Sequence, residues 1–354
     1  MAKYNKMNLK NLDSVLSGEP KYRLRQARQA IYADLISDWQ ENTTLPLGLR
    51  EKLDRECPLG LKATLYGSKK SESLKILLEL EDGEKVESVL LKHADGRRTV
   101  CVSSQVGCPL GCRFCATGGL GFKRNLESGE IIAQVLFFER YLHREETAHD
   151  RVTNVVFMGM GEPFLNYDNV MAAIRTLNDK EAFNIGARKI SISTCGIIEG
   201  IEKLTREELQ VNLAISLHAP SDGLRSELMP VNKRYPLAEL MKTVARYVSM
   251  KSRDVMFEYL MIKGINDREE DALALAGLMK NSLYVVNLIR YNPTGVFQPS
   301  GAAEITRFKQ ILTEHGVNVT QRYSFGQDID AACGQLANRA AKSETECRLD
   351  DWGS

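Results

Sequence analysis

The 354-residue sequence lacks several features that would restrict its function. It has no run of 18 or more apolar residues, which a membrane-spanning helix requires. The first residues, MAKYNK, lack the apolar stretch of a secretory signal peptide, so we expect a cytoplasmic protein with no membrane partner. The 47 Lys and Arg residues nearly balance the 46 Asp and Glu residues, leaving a net charge of +1. This balance excludes a polycation, and any contact with nucleic acid must come from a local patch.

The sequence also has no internal repeat and no low-complexity tract. Its length fits one large α/β domain with an accessory segment, and 43% hydrophobic and 26% charged residues are typical of a globular protein. The chain contains eight cysteines. In a cytosolic protein of this length they argue against a disulfide framework and favour metal binding or thiol chemistry.

The pattern of apolar residues divides the chain into four segments. Residues 1–56 are predicted to form a small helical accessory domain, with helical spacing over Arg23–Trp39. Residues 57–97 are predicted to form a β-hairpin extension, in which strand Val86–Lys92 turns into strand Arg98–Gln105. The main domain spans 98–336, and a disordered tail is expected over 337–354.

From Arg98 onward, predicted strands and helices alternate in six β/α units. Such alternation indicates a parallel sheet with right-handed crossovers, either doubly wound or curled into a barrel. Polar and glycine-rich clusters follow the predicted strands at Cys108–Cys115, Gly159–Pro163, Ser191–Thr194, Ser216–His218 and Tyr291–Pro293. Because β/α barrels carry their active sites at the carboxyl ends of the strands, we predict an α/β fold with a partial (β/α)6 TIM-type barrel.

Three of the cysteines, Cys108, Cys112 and Cys115, lie within eight residues on a predicted loop. Three thiolates at this spacing can bind three of the four irons of a [4Fe–4S] cluster. The remaining iron can chelate the amino and carboxylate groups of S-adenosylmethionine (SAM). A structural zinc is the alternative, but it normally needs four protein ligands, and no fourth Cys or His lies nearby.

This spacing resembles that of the radical SAM superfamily, as does the motif Gly159–Pro163, over about residues 98–335. A narrower resemblance is to the RlmN/Cfr family of adenosine methyltransferases that act on RNA. It rests on Val102–Gln105, Phe157–Pro163, Ser216–His218 and Gly326–Leu336.

The resemblance implies a role for residues far apart in the sequence. Cys333 would carry the methyl group, Cys101 would resolve the intermediate through a transient disulfide, and Glu87 would be the general base. Two SAM molecules would be consumed per turnover. SAM contacts are implied for Gly161, Glu162, Ser193, Ser216, Leu217, His218 and Asn292. We expect a monomer, and its expected partners are RNA and an electron donor such as flavodoxin or ferredoxin.

Members of the family differ in their product. RlmN-type enzymes methylate carbon 2 of an adenosine at the peptidyl-transferase centre of 23S rRNA, and some also act on the adenosine 3′ of the anticodon in tRNA. Cfr-type enzymes methylate carbon 8 of the same rRNA base, which confers antibiotic resistance. Pro163 is RlmN-like, whereas Arg290 is Cfr-like, and we favour carbon 2. The remaining alternatives are a radical SAM enzyme for a small molecule or peptide and a non-catalytic zinc-containing RNA-binding protein.

Two further expectations concern single side chains. Phosphate contacts are predicted from basic residues of the helical segment and the hairpin, namely Lys21, Arg23, Arg25, Arg28, Lys92, Arg97 and Arg98. Cys57, Cys195 and Cys347 fit no motif, and we interpret them as incidental.

Overall fold

The computed structural model describes residues 7–9, 11–68, 70–146, 150–322 and 331–336, together with the backbone of 347–348. The amino-terminal segment contains helices α1 (Leu12–Val15), α2 (Lys21–Tyr32) and α3 (Leu47–Glu56). The single helical stretch predicted over Arg23–Trp39 is wrong beyond Tyr32. Leu35 adopts a φ of 56°, which an α-helix cannot accommodate. Trp39 lies in a separate short turn, where its buried indole N–H donates to the Cys57 carbonyl at 2.7 Å.

An antiparallel group of strands precedes the barrel. It consists of β1 (Lys62–Tyr66), β2 (Ser73–Glu79) and β3 (Lys85–Lys92), and β3 pairs with β4 (Arg98–Cys101). The predicted hairpin is therefore correct for β3 and β4, but the extension holds two further strands. The strand predicted over Arg98–Gln105 is also divided. Gln134 of the following helix bonds to both the N–H and the C=O of Ser103, replacing the strand ladder there.

The main domain alternates between strands and helices. Residues Gln105–Gly107 (β5) and Phe122–Asn125 (β6) form a separate two-stranded hairpin. The parallel strands after β4 are β7 (Asn154–Phe157), β8 (Ile190–Thr194), β9 (Asn212–Ser216), β10 (Val255–Met261), β11 (Tyr284–Arg290) and β12 (Asn318–Arg322). The helices are α4 (Ser128–Glu145), α5 (Tyr167–Asn178), α6 (Ile198–Arg206), α7 (Asp222–Leu228), α8 (Leu237–Lys251), α9 (Glu269–Leu278) and α10 (Ala302–Glu314). The short helix α7 was not predicted.

The strand order decides between the two architectures that the sequence allows. The parallel strands follow one another in space as they do in the chain, in the order β12-β11-β10-β9-β8-β7-β4. A doubly wound sheet would reverse direction, whereas a constant direction places all helices on one side, as in a barrel. The partial (β/α)6 barrel is thus confirmed. Among the described strands β12 and β4 do not pair with each other, so the barrel is open.

The buried apolar side chains form one continuous core that includes the strands of the barrel, the helices around it and the amino-terminal helices. Of the tail expected to be disordered, the structure describes only the backbone of Cys347–Arg348, which forms a short strand (β13) beside β1. None of the helices in the described part of the chain is long and apolar enough to cross a membrane.

Candidate active site

A cavity of about 180 Å³ opens at the carboxyl ends of the parallel strands. It brings together most of the residues that the sequence singles out, although they come from seven different segments of the chain. The predicted residues that line it are Cys101, Cys108, Cys112, Cys115, Gly161, Glu162, Ser193, Ser216, His218, Asn292 and Cys333. Leu217 and Glu87 are buried beside it and do not line it.

The three-cysteine loop connects the strands of the β5–β6 hairpin. The backbone N–H of Cys108 donates to the carbonyl of Gly121 at 2.9 Å, which closes the loop at its base. Gly107 is required there, because its φ is 74° and a Cβ atom would lie 1.8 Å from the Gly121 oxygen. The sequence thus folds this loop tightly and presents its thiols to the cavity.

The donor set fits a cluster better than a single ion. Within the described ranges, no group of three or more His, Cys, Asp or Glu side chains converges closely enough to hold one metal ion. An iron–sulfur cubane takes one thiolate at each iron, so its ligands surround a larger body. Burial raises the pKa of Cys108 to about 12 and also raises that of Cys115, so both are protonated until a metal displaces the proton.

Glu162 presents a buried carboxylate to the cavity. Its oxygens accept hydrogen bonds from the backbone N–H groups of Cys195 at 2.7 Å and Phe164 at 3.1 Å. The preceding Gly161 has a φ of 94°, and a Cβ atom there would lie 2.5 Å from the Cβ of Gln105. This close backbone packing fixes the direction of the carboxylate. An anchored carboxylate in a cavity is suited to bind an ammonium group.

Polar groups of β8 and of the end of β9 also line the cavity. The hydroxyls of Ser193 and Ser216 lie 3.3 Å apart. His218 has a φ of 57°, and its Nδ1 accepts the N–H of Leu260 at 3.1 Å, which places the ring proton on Nε2. Burial lowers the pKa of His218 to about 3, so the imidazole is neutral. Its ring meets Phe114 of the cysteine loop edge-on, with centroids 4.8 Å apart.

The two thiols that are distant in sequence line the same cavity. Burial raises the pKa of Cys101 to about 12, and the nearby Cys333 contributes to this rise. Neither cysteine forms a disulfide. The segment around Cys333 is joined to the cysteine loop, since the Ala116 N–H donates to the Gly334 carbonyl at 2.8 Å and the Thr117 hydroxyl donates to the Leu336 carbonyl at 2.6 Å. The first half of the motif, residues 326–330, lies outside the described residues.

Glu87 lies next to the cavity, two residues before the lining residue Val89. It is on β3 and faces the same side as Val89, which lines the cavity opposite Cys101. Its carboxylate is 3.3 Å from the ammonium group of Lys75, and both side chains are only 1% exposed. The predicted base is therefore part of a buried ion pair beside the thiols.

Three ionisable residues of the cavity were missed. Cys195, which we interpreted as incidental, lies in hydrogen-bond contact with Cys112, and this contact together with burial raises the pKa of Cys195. Glu258 of β10 and Arg322 of β12 also line the cavity. Cys195 and Arg322 stand at strand ends, so the rule that placed the other polar clusters could have found them. Glu258 lies inside an apolar run, and its charge was the only feature of the sequence that could have identified it as a functional residue.

Most of the basic residues that were predicted to contact phosphate form ion pairs within the protein. Lys92 and Arg98 both pair with Glu146, and their side chains are 11% and 17% exposed. Arg28 lies within 3.6 Å of both Asp13 and Asp179. The prediction therefore finds no support at Lys92, Arg98 and Arg28. For the other four residues, Lys21, Arg23, Arg25 and Arg97, it stays a prediction.

Comparisons with known proteins show which family this chain is similar to. The model of the Radical SAM superfamily matches residues 102–276. A protein of Dictyoglomus thermophilum named probable dual-specificity RNA methyltransferase RlmN is 47% identical over 337 residues, which cover 94% of each chain. Its namesake from Chloroflexus aurantiacus is also 47% identical, over 94% of this chain and 92% of the relative. The crystal structure of a radical SAM methyltransferase from Sphaerobacter thermophilus is 44% identical and superposes with a TM-score of 0.89, covering 96% of this chain and 100% of that one.

Proposed function

Because this chain belongs to the RlmN family of radical SAM RNA methyltransferases, we propose that it methylates carbon 2 of an adenosine through an S-methylcysteine intermediate. The observation that carries the proposal is the presence of Cys101 and Cys333 in one cavity with Cys108, Cys112 and Cys115. A radical SAM enzyme that acts directly on its substrate needs only the last three. The additional thiols indicate covalent chemistry on the protein.

We assign the cluster to the three-cysteine loop and SAM to the polar residues at the strand ends. Cys108, Cys112 and Cys115 would hold a [4Fe–4S] cluster, which, when bound, supplies the electron for reductive cleavage of SAM. The carboxylate of Glu162 would bind the ammonium group of SAM. Ser193, Ser216, His218 and Asn292 would contact the rest of the molecule, with Leu217 supplying backbone groups.

The target carbon explains the need for thiols. Carbon 2 of adenine lies between two nitrogens and is not nucleophilic, so it cannot attack SAM itself. Cys333 would take the methyl group from one SAM as S-methylcysteine. A second SAM would then provide the radical that removes a hydrogen from this methyl group, and the methyl carbon would add to the ring.

Release of the product would use the remaining residues. Loss of an electron and of the ring proton would follow the addition, with Glu87 proposed as the proton acceptor. The Cys101 thiolate would then attack the Cys333 sulfur and form a Cys101–Cys333 disulfide. The bond from the Cys333 sulfur to the carbon would break, and that carbon would keep the electron pair and take up a proton to become the methyl group. An external reductant would restore both thiols, which suits a cytoplasmic protein. The electron for the cleavage of SAM would come from a donor such as a flavodoxin or ferredoxin.

We propose 23S rRNA as a substrate, at the adenosine of the peptidyl-transferase centre, and tRNA, at the adenosine 3′ of the anticodon. The relatives' description as dual-specificity RNA methyltransferases supports two RNA substrates. In either RNA the base would have to leave its stack to reach the cavity. The alternative product, 8-methyladenosine, rests on Arg290. Because Arg290 is exposed and does not line the cavity, it gives this alternative little support.

The test is anaerobic reconstitution with iron and sulfide, followed by reaction with SAM, a reductant and either a 23S rRNA fragment or tRNA. Mass spectrometry of the digested nucleosides separates 2-methyladenosine from 8-methyladenosine. We expect 2-methyladenosine. The 8-methyl isomer would assign the enzyme to the Cfr type, and SAM cleavage without any methylated adenosine would show that RNA of this kind is not the substrate.

A further inference from the structure

Arg225 lies on the short helix α7 and is completely buried. It does not line the cavity, but it donates hydrogen bonds to two of the strand ends that form it. Its Nη2 donates to the carbonyls of Cys195 at 2.7 Å and Ser216 at 3.3 Å. Its Nε donates to the carbonyl of Leu217 at 3.2 Å, and its Nη1 donates to the side-chain oxygen of Asn232 at 2.8 Å. One side chain thus joins the end of β8 to the end of β9.

The end of β8 is held by Arg225 together with Glu162. Cys195 follows this strand, and its N–H donates to the Glu162 carboxylate at 2.7 Å while its carbonyl accepts from Arg225. Gly196, the next residue, turns the chain with a φ of 99°. The carboxylate proposed to bind the ammonium group of SAM is therefore oriented by a peptide segment that Arg225 fixes in place.

The end of β9 is fixed from two directions. From one side, the carbonyls of Ser216 and Leu217 accept from Arg225. From the other, the N–H groups of Leu217 and His218 donate to the carbonyl of Glu258 at 3.1 and 3.3 Å. These bonds hold His218 at its φ of 57°, a conformation that a residue other than glycine keeps only where its surroundings impose it. The end of β9 in this form presents Ser216 and His218 to the cavity.

The guanidinium of Arg225 is itself held in a fixed orientation. Asn232 accepts from it, and the Asn232 amide donates to the carbonyl and to the carboxylate of Asp222 at 3.1 and 2.9 Å. Burying a guanidinium costs free energy, and its four acceptors here are neutral oxygens, so no ion pair among them offsets that cost. An arginine provides a rigid fork of donors that reaches carbonyls on two strands at once, which the single ammonium group of a lysine does not.

We propose that Arg225 is a positioning residue that keeps Glu162 and the end of β9 at the spacing that SAM requires. The inference rests on the proposed function, since the proposed function assigns SAM to these residues. Arg225 itself would touch neither SAM nor the atoms that react. Its loss should leave the β8–β9 ladder, which pairs Ser191–Thr194 with Asn212–Ile215, and loosen the segments beyond it. The effect should therefore fall on SAM binding and not on the assembly of the barrel.

The test measures SAM binding to the cluster-loaded enzyme without RNA, by equilibrium dialysis with labelled SAM. We expect Arg225→Gln to weaken SAM binding about tenfold, because both strand ends lose hydrogen bonds from a charged donor. Arg225→Lys keeps the charge but should recover only part of the affinity, since it reaches one strand end at a time. At saturating SAM and with dithionite as reductant, each variant should cleave SAM at a rate within about twofold of wild type, because the substitution affects binding alone.

Arg140→Gln is the matched control. Arg140 is also buried and donates to main-chain carbonyls, those of Leu59 at 3.1 Å and of Ile36, but it does not line the cavity or contact the ends of β8 and β9. This variant should lower the melting temperature without weakening SAM binding. It therefore separates the loss of a buried arginine from the loss of the hydrogen bonds that Arg225 makes.

Three results would overturn the proposal. Equal SAM affinities in Arg225→Gln and Arg140→Gln would show that the hydrogen bonds of Arg225 are not needed for the site. Wild-type affinity in Arg225→Lys would show that a positive charge suffices. Slower cleavage at saturating SAM with unchanged affinity would assign Arg225 to the reaction instead of to binding.

Two further measurements keep the outcomes distinct. Melting temperature and iron content identify an Arg225→Gln enzyme that fails to fold, and the Lys variant then decides. RNA methylation is measured separately on the wild-type enzyme. If that enzyme binds and cleaves SAM but methylates no RNA while Arg225→Gln binds SAM weakly, the proposed function fails and this inference stands.

Discussion

The side-chain amide of Asn292 donates a hydrogen bond of 3.1 Å to the main-chain carbonyl of Cys333. Asn292 follows β11 and lines the cavity, so this bond attaches the segment bearing Cys333 to the wall proposed to bind SAM. The methyl donor and the methyl acceptor would thus be positioned by a shared residue. Loss of this hydrogen bond should slow the transfer of the methyl group from SAM to Cys333 more than it destabilises the fold.

We expect Asn292→Ala to slow the methylation of Cys333 by SAM about fivefold, since a hydrogen bond of this kind contributes about 1 kcal/mol. Intact-protein mass spectrometry after a single turnover measures the added methyl group. Asn318→Ala is a matched control, because the Asn318 amide donates to the Ser282 carbonyl at 2.9 Å on the surface. Equal rates in the two variants would show that Asn292 does not position Cys333.

Removal of each proposed catalytic thiol should have a different effect. Cys333→Ala should abolish RNA methylation while leaving the cluster and SAM cleavage intact, because no methyl acceptor remains. Cys101→Ala should accumulate a covalent protein–RNA adduct, since nothing attacks the Cys333 sulfur. Gel shift under denaturing conditions and mass spectrometry detect the adduct. Cys57→Ala, which removes a buried thiol of the amino-terminal segment, is the control. A fully active Cys333→Ala enzyme would refute the thiol mechanism.

Cys101 should also make the stability of the cluster-free protein dependent on pH. Burial raises its pKa from 9.0 to about 12, so folding favours the protonated thiol. Its contribution is fully present below pH 9 and is lost as the pH rises from 9 towards 12, by an amount on the order of a few kcal/mol. Urea unfolding between pH 8 and pH 11 should show this loss, and Cys101→Ala should show a smaller one. Parallel pH profiles for the two proteins would contradict the prediction.

Removing only one member of the Lys75–Glu87 ion pair should strongly destabilise the protein. Lys75→Met removes the ammonium group that lies 3.3 Å from the buried Glu87 carboxylate and should destabilise the protein by about 3–5 kcal/mol. The double variant Lys75→Met/Glu87→Gln should recover much of that loss, and chemical denaturation measures both. Glu87→Gln should still accept a methyl group on Cys333 but form product slowly, if Glu87 removes the ring proton. Unimpaired product formation by Glu87→Gln would eliminate it as the base.

The sequence predicted the position of functional residues where several of them form a motif with a fixed spacing. The cysteine loop, Gly161 and Glu162, and the strand-end residues of β8 and β9 could be placed at one end of a barrel, because parallel strands bring their carboxyl ends to the same edge. Single residues gave no such signal. Arg322 and Cys195 belong to no motif. Arg322 contacts the Met158 sulfur, 164 residues away in the chain, and Cys195 contacts Cys112, about 80 residues away.

Local backbone geometry was the other feature that the sequence pattern did not predict. The helical spacing that continues from Ile31 to Leu35 predicts one helix, but the left-handed backbone at Leu35 ends it. The spacing of apolar residues shows only where apolar side chains recur along the chain, and it carries no information about a left-handed turn. The strands before β3 were missed for a related reason. Nearly all residues of β2 are buried, including Lys75, so the alternation that marks a half-exposed strand is absent.

Gly161 offers the sharpest test of the proposed SAM site. Its φ of 94° and the 2.5 Å approach of a Cβ atom to Gln105 mean that Gly161→Ala must displace the backbone that carries Glu162. We expect SAM affinity, measured by equilibrium dialysis with labelled SAM, to fall at least tenfold while the iron content stays unchanged. Gly83→Ala is the matched control, because Gly83 has a φ of 87° but nothing within 4 Å of the added Cβ atom. Both variants bear the same backbone strain, of about 1 kcal/mol. A difference between them therefore reports the contact with Gln105, and equal SAM affinities would remove Glu162 from the binding site.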